Sequence, residues 1–379
     1  MNKEQILSQF TVRGTLISCE QFGEGHINTT ELLQVQEEEG VAYYILQKMH
    51  PTAFPDIPRL MDNIERVTRF LSKKLRKRGR DPMRYTLNMI PTTSGHTYYF
   101  DGESYYRLCY YIENSTVFQK AEEDWQFTEC GYAFGRFARL LEEFDASSLF
   151  ETIPQFHNTE NRSRNLLIAI ENNTSPRAHL VEKEIQWAKD HAYLASYLTS
   201  KLASGELPIK VTHNDTKLNN VLFDKDTGEN LAVIDLDTVM AGTICFDFGD
   251  AIRFGCNTAS EDEVDLSKVD FSLPLFRAFA DGYLRGIGTH VEKSEIDALA
   301  MSALVMTYEC GIRFLTDYLD GDVYFKTAHK NHNLDRCRTQ FVLVDKMTQL
   351  LPQMNQIVQE CEERIMAEKA LEDKQNEQK

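Results

Sequence analysis

No apolar run reaches the roughly 18 residues that a bilayer-crossing helix needs, so no membrane span is expected in this chain of 379 residues. The N-terminus, MNKEQILSQF, lacks the apolar core of a secretion signal. The eight cysteines, at 19, 109, 130, 245, 256, 310, 337 and 361, contain no C-x-x-C pair. That argues against a zinc site or a disulfide framework and predicts reduced, mostly buried thiols in a cytoplasmic protein. Excess positive charge is missing as well. The 41 Lys and Arg against 58 Asp and Glu leave a net charge of -17, which speaks against a nucleic-acid partner. No internal repeat is visible. A hydrophobic content of 42% with 11% aromatics describes a globular chain, long enough for one large or two moderate domains with full cores.

The most informative stretch runs from Val211 to Phe254. Two short apolar runs, Asn220–Phe223 and Leu231–Ile234, flank a turn containing Thr227-Gly228 and read as paired strands. His213, Asp215, Lys217, Asn219 and Asn220 crowd ahead of the first run, and Asp235 and Asp237 follow the second. Pairing of the strands sets Asn220 beside Asp235 with Asp215 close by. One carboxylate is then placed to take a proton, beside an Asn and an Asp whose oxygens suit Mg²⁺. This is the set that phosphoryl transfer to a hydroxyl requires. The segment resembles the catalytic loop of the aminoglycoside phosphotransferase and choline kinase-like phosphotransferases. Their pattern is H-x-D-x-x-x-x-N followed some fifteen residues later by I-D, and His213, Asp215, Asn220 and Asp235 fit it. Asp247, in FDFGD, fits a later family aspartate and is expected to brace the loop backbone, with His213 in a structural role.

The resemblance implies an α+β, two-lobed protein-kinase-like fold. A small N-terminal antiparallel-sheet lobe is expected over 1–113, a larger mainly helical C-terminal lobe over 114–365, and a charged, fraying tail over 366–379. Strands are predicted at Thr15–Phe22, at about Ile27–Val35, at Val41–Met49, and in a hairpin of Tyr98–Phe100 with Tyr105–Ile112. Between the first two strands, GEGHINTT lacks the third glycine of G-x-G-x-x-G, so Gly25, Asn28 and Thr29 become the candidate phosphate contacts. On the third strand the resemblance calls for a Lys, and Gln47 stands in its place with Lys48 next along. Because strand side chains alternate, only one of the two can face the nucleotide. A helix over Asp62–Arg78 carries Glu65, a candidate partner for a strand lysine, and the segment before it, HPTAFPDIPRL, reads as a loop. Tyr111 and Ile112 fall where the family's backbone meets the adenine.

Further on, Asp124–Phe144 patterns as an amphipathic helix, 156–164 as a polar loop, and 181–202 as a helix. Three more helices are expected over Pro274–Gly286, Glu292–Leu319 and Leu334–Arg364. Within the second of these, Glu309, Arg313 and Asp317 recur every four residues among apolar and aromatic neighbours. The spacing alone reads as a salt-bridged exposed face, whereas the apolar neighbours point to a largely buried helix whose charges need partners, a polar ligand among them.

GEGHINTT, YYILQKMH, VTHNDTKLNNVLFD, IDLDTVMAGT, FDFGDAIRFG and ECGIRFLTDYLDGDVYF, with further segments between residue 23 and about 340, resemble the bacterial N-acetylhexosamine 1-kinases. The resemblance implies transfer of the ATP γ-phosphate to the anomeric hydroxyl of GlcNAc or GalNAc. It implies Asp215 as the base, Asn220 and Asp235 on Mg²⁺, and His26, Arg313 and Tyr324 with Asp215 as sugar contacts. ATP and Mg²⁺ are the expected co-substrate and metal, and no obligatory protein partner is expected. Choline, homoserine or an aminoglycoside as acceptor, or a silent nucleotide-binding module, are the alternatives.

Overall fold

Alternation of apolar and polar residues along 29–49 and 105–110 predicts a half-buried antiparallel sheet, and the chain folds that way. A computed structural model of the chain describes residues 2–23, 28–49 and 54–377. Its first elements are α1 (Lys3–Leu7), β1 (Thr15–Gln21), β2 (Thr29–Glu37), β3 (Gly40–Met49), α2 (Ile57–Lys77), α3 (Pro82–Tyr85), β4 (Tyr99–Phe100), β5 (Tyr105–Tyr110) and β6 (Ser115–Thr116). Then come α4 (Asp124–Leu140), α5 (Thr159–Asn172), α6 (Glu182–Asp190), α7 (Tyr197–Ser204), β7 (Lys210–Thr212), β8 (Val221–Asp224), β9 (Asn230–Val233) and β10 (Met240–Gly242). The last are α8 (Ile244–Gly255), α9 (Leu273–Ile287), α10 (Lys293–Asp320) and α11 (His332–Glu377). The chain divides into two units. The first collects Met1–Val117, Glu143–Pro154 and Val221–Met240, and the second Phe118–Glu142, Gln155–Asn220 and Ala241–Lys379.

In the first unit, five antiparallel strands lie in the order β1-β2-β3-β5-β4. Leu33, Val35, Tyr44, Leu46, Tyr106 and Leu108 share a core with Ile6, Leu7, Phe10 and Ile90. Helix α2 starts at Ile57, inside the expected loop. Asp56 caps it by accepting from the Arg59 amide at 3.0 Å, and a proline sits in its first turn. Proline is tolerated there because the first-turn N–H groups have no helical partner. The helix buries Ile64, Val67, Leu71 and Leu75, as their spacing required. Asn63 on the same helix joins the unit's separate pieces. It donates to the Phe150 and Val239 carbonyls at 2.8 and 3.1 Å and accepts from the Phe150 amide at 2.9 Å.

The hairpin expected around Gly228 is present. Strands β8 and β9 pair with Val221 opposite Val233, and β6 joins the outer side of β8. Asp224 sets the turn by accepting from the Asp226 and Thr227 amides at 2.9 and 3.0 Å, and Gly228 takes a positive φ of 75°.

The second unit is mainly helical. Helices α4 and α9 meet through glycines spaced four apart on each, Gly131 and Gly135 against Gly282 and Gly286. A methyl group on any of these would fall on backbone of the opposite helix. Helix α10 is long and apolar enough to match a membrane span, with a mean hydropathy of 1.3, but 89% of that stretch is buried in the protein. It packs against α5, α8 and α11 as a core helix.

Three expectations are corrected here. Residues 156–164 are not all loop, because Asn158 caps α5 by accepting from the Asn161 amide at 2.9 Å. The single helix over 181–202 is interrupted, with α6 and α7 separated by a short 3-10 turn at Ala192–Leu194. The tail continues α11 as far as Glu377, in keeping with its Ala, Glu, Lys and Gln, all good helix formers.

Candidate active site

The loop between β7 and β8 is held from below by α8. Asp247 is buried in the first turn of that helix. Its two oxygens accept from the His213 amide at 2.9 Å and the Asn214 amide at 2.8 Å, and its carbonyl accepts from the Thr216 hydroxyl. Burial raises the Asp247 pKa, and these hydrogen bonds work against the rise. One turn later Asp250 accepts from the Thr216 amide at 3.1 Å and from Arg253 Nε at 3.0 Å. His213 is fully buried with its ring edge-on to Phe134 and Phe137 of α4, and its Nδ1 accepts from the Asp215 amide at 3.2 Å. The backbone is thus fixed on both sides of Asp215, with Asn214 at a φ of 65°.

On this loop Lys217 Nζ lies 2.6 Å from Asp215 Oδ1, and Asn220 Nδ2 donates to the Asp215 carbonyl at 2.8 Å and to Oδ2 at 3.3 Å. Burial opposes ionisation of Asp215, but the Lys217 ammonium outweighs it and holds the carboxyl below its ordinary pKa. Lys217 is raised in turn by the same pair. With Nδ2 of Asn220 committed to the loop, its Oδ1 is the atom available as a ligand. Asp235 is exposed and takes a left-handed backbone, φ 58° and ψ 57°. Few residues other than glycine occupy that region. An amide oxygen and an exposed carboxylate are each hard donors of the kind that Mg²⁺ takes beside waters and phosphates.

On the charged face of α10, Glu309 and Asp317 are buried and Arg313 is partly exposed. Glu309 receives His157 Nδ1 at 2.8 Å and the Thr159 hydroxyl at 2.6 Å, and His157 Nε2 lies 3.1 Å from the Asn214 carbonyl. Burial disfavours the Glu309 carboxylate, but His157, Arg313 and Thr159 together lower its pKa. A chain of polar contacts therefore runs from α10 to the residue before Asp215. Arg313 lies over the Phe156 and Phe325 rings, 5.5 Å from each centroid. Arg162 stands near enough that burial, reinforced by the Arg313 charge, lowers its pKa. Asp317 accepts from the Val323, Tyr324 and Phe325 amides at 2.9, 2.7 and 3.0 Å, which shapes the turn carrying Tyr324. The Tyr324 ring is 67% exposed and packs edge-on to Phe325.

On the sheet, Gly25 and His26 lie outside the described residues. Asn28 Nδ2 donates to Asp237 Oδ2 at 2.7 Å, and Thr29 is exposed. Gln47 bridges Thr30 and Arg107 at 3.0 and 2.8 Å. Lys48 is exposed on the opposite face, the one that carries Tyr44 and Leu46. Glu65 pairs with Arg69 one turn along α2 and accepts weakly from Thr97. Its partner is therefore not a strand lysine, since β3 has no lysine on the face of Gln47. Tyr111 packs edge-on to Phe22 at 5.8 Å, and Ile112 is buried with Leu231 and Ala232.

The sequence reading missed Lys217 as the partner of Asp215, although it lies two residues away in the same motif. It also missed His157, Thr159, Arg107 and the buried member of the two carboxylates after β9, Asp237. Arg107 had a visible signal, a lone charge inside the apolar strand YYRLCYY.

An antiparallel-sheet unit, a helical unit and a D-x-x-x-x-N loop clamped by a later aspartate define a protein-kinase-like fold. The profile of the phosphotransferase enzyme family APH matches residues 18–293. The chain belongs to that family and is a small-molecule phosphotransferase. Solved structures agree on the fold. An aminoglycoside phosphotransferase from Alicyclobacillus acidocaldarius is 13% identical, with 95% of this chain and 97% of that one covered and a TM-score of 0.59. A spectinomycin phosphotransferase in complex with ADP and spectinomycin is 14% identical, covering 89% and 94% at a TM-score of 0.53. A choline kinase from Cryptosporidium parvum is 14% identical, covering 89% and 90% at 0.51.

Proposed function

We propose that this phosphotransferase moves the γ-phosphate of ATP to the anomeric C1 hydroxyl of N-acetylhexosamines, GlcNAc or GalNAc, giving the sugar 1-phosphate. The observation that carries the choice of acceptor is the pair of neighbouring arginines, Arg313 on α10 and Arg162 on α5. Arg313 lies over the Phe156 and Phe325 rings, Arg162 donates to the Phe156 carbonyl, and Phe156 directly precedes the histidine that touches the loop of Asp215. An acceptor carrying an ammonium group meets repulsion there, whereas a choline-type pocket presents aromatic faces to the cation. A neutral sugar instead offers hydroxyl and acetamide oxygens to the guanidinium groups. The sequence resemblance to the N-acetylhexosamine 1-kinases, spread from residue 23 to about 340, supports the same acceptor.

In this reading Asp215 orients the attacking hydroxyl and accepts its proton. A carboxylate held below its ordinary pKa is a weak base, so its main work is alignment, with the proton moving late. That suits a loose phosphoryl-transfer transition state, in which positioning and charge neutralisation carry catalysis. Asn220 and Asp235 would hold Mg²⁺, which would supply charge neutralisation on the phosphates. Arg313, Tyr324 and His26 contact the sugar. The free thiols of all eight cysteines support a cytoplasmic site of action.

The test is ATP consumption with Mg²⁺ over GlcNAc, GalNAc, glucose, galactose, choline, homoserine and kanamycin, with ³¹P NMR of the product. A phosphorus signal split by the anomeric proton, strongest with the N-acetylated sugars, is expected. Turnover on choline, homoserine or kanamycin alone overturns the acceptor and the roles of Arg313 and Tyr324.

A further inference from the structure

The kinase reading asks for a cation on the sheet to meet the nucleotide's phosphates, and β3 does not supply one. Gln47 stands where the lysine belongs, and Lys48 projects from the face that packs toward α1. The sheet register answers the question. In the pairing of β3 with β5, Gln47 lies directly opposite Arg107. The two side chains therefore project from the same face of the sheet, as neighbours across the strands. Arg107 is 5% exposed.

Its guanidinium is held on two edges. Nε donates to Gln47 Oε1 at 2.8 Å, and Nη1 is paired with Asp237 Oδ1. The other oxygen of Asp237 is taken by Asn28 Nδ2 at 2.7 Å. Asn28 stands one residue before β2, and Thr30, bonded to Gln47, is the second residue of that strand. Nη2 donates to no group among the described residues, and it is not among the polar atoms sealed from solvent without a partner. An arginine has five donors in a rigid fork, and such a fork matches phosphate oxygens.

We infer that Arg107 on β5 is the cation that meets the nucleotide's phosphates, in place of a lysine on β3, and that Gln47 and Asp237 are the groups that aim it. The inference rests on the nucleotide-binding part of the proposed function and is independent of which acceptor is used. Asp237 takes the part that a helix glutamate plays for a strand lysine, which accounts for Glu65 turning to Arg69. The same carboxylate lies two residues from Asp235, so the cation and the metal-binding position are fixed by one short segment.

The experiment compares binding of MgATP and of adenosine, which has no phosphates, by isothermal titration on the full-length chain. Arg107→Gln is expected to weaken MgATP by about tenfold to a hundredfold, the worth of a charge-assisted hydrogen bond, and to move adenosine less than about twofold. Adding Gln47→Lys to Arg107→Gln returns a cation to β3 and is expected to recover part of the MgATP affinity. Because Arg107→Gln leaves Asp237 buried and unpaired, Arg107→Gln with Asp237→Asn serves as the charge-free control if the single variant does not fold. Equal weakening of both ligands, or unchanged MgATP binding, overturns the assignment. Wild-type protein that binds MgATP but phosphorylates no sugar defeats the acceptor proposal alone. Wild-type protein that binds neither ligand defeats both.

Discussion

Asp215 is the residue on which the chemistry turns, and its surroundings make separable predictions. Asp215→Asn keeps the shape of the loop, because Asp247, Asp250 and His213 grip its backbone and not this side chain. Turnover is expected to fall by at least about a hundredfold, within the range for loss of a general base, while the MgATP dissociation constant stays within about twofold. Lys217→Met removes the charge that outweighs burial, so the Asp215 pKa rises. A depressed carboxyl is ionised, and able to accept a proton, above its folded pKa, and it loses that capacity as pH falls through it. The acid limb of the kcat/KM profile of Lys217→Met is therefore expected at higher pH than in the wild type. An acid limb that stays in place would show that another group controls it. Arg313→Ala is expected to raise the KM for sugar more than the KM for ATP, and equal changes would mark the arginine as structural.

At the scale of elements, the closest fit is the crossing of α4 and α9. Gly282→Ala places a methyl group on the Thr128 carbonyl and Gly135→Ala places one on the Tyr283 carbonyl. Neither clash can be relieved by turning a side chain, so each substitution is expected to cost about 3 kcal/mol or more, the upper part of the range for overpacking. Urea denaturation of the variants measures it directly. These glycines were legible in principle, as GYAFG and GYLRG, but the sequence reading weighed only the apolar stripe of α4. The residues of the candidate loop lie within 35 positions of each other, and the hairpin of β8 and β9 was legible because it announces itself by a Gly turn. Helix α5 was not, because its polar N-terminal half looks like loop until Asn158 is recognised as a cap. Arg107 and Gln47 lie on different strands, 60 positions apart in the chain, and only the register of β3 on β5 brings them together. Local patterning finds elements, and long-range register decides which residues share a face.

For the molecule as a whole, burial sets the reactivity of the cysteines. All eight are free, and only Cys19 and Cys310 are less than fully buried. Burial pushes the Cys109 and Cys310 thiols up to about 11 and Cys245 up to about 12. Thiolates are the reactive form, so a thiol reagent such as DTNB at pH 8 is expected to label at most Cys19 and Cys310 within minutes on native protein. All eight should react in denaturant. Rapid labelling of more than two in the native state would show that the cores open readily.

The first unit is assembled from three separate stretches of chain, and the last of them ends at Met240. During synthesis a ribosome that has released the whole β1–β5 sheet has not yet made Asp237, the carboxylate that balances the buried Arg107. Until residue 240 has emerged the nascent sheet carries an unneutralised charge in its interior. The N-terminal unit therefore cannot mature as an autonomous early domain. A fragment ending near residue 117 is expected to behave as an unfinished intermediate that depends on chaperones, and gene fusions or split designs that cut there will separate Ile112 from Leu231 and Ala232 within the first unit's own core.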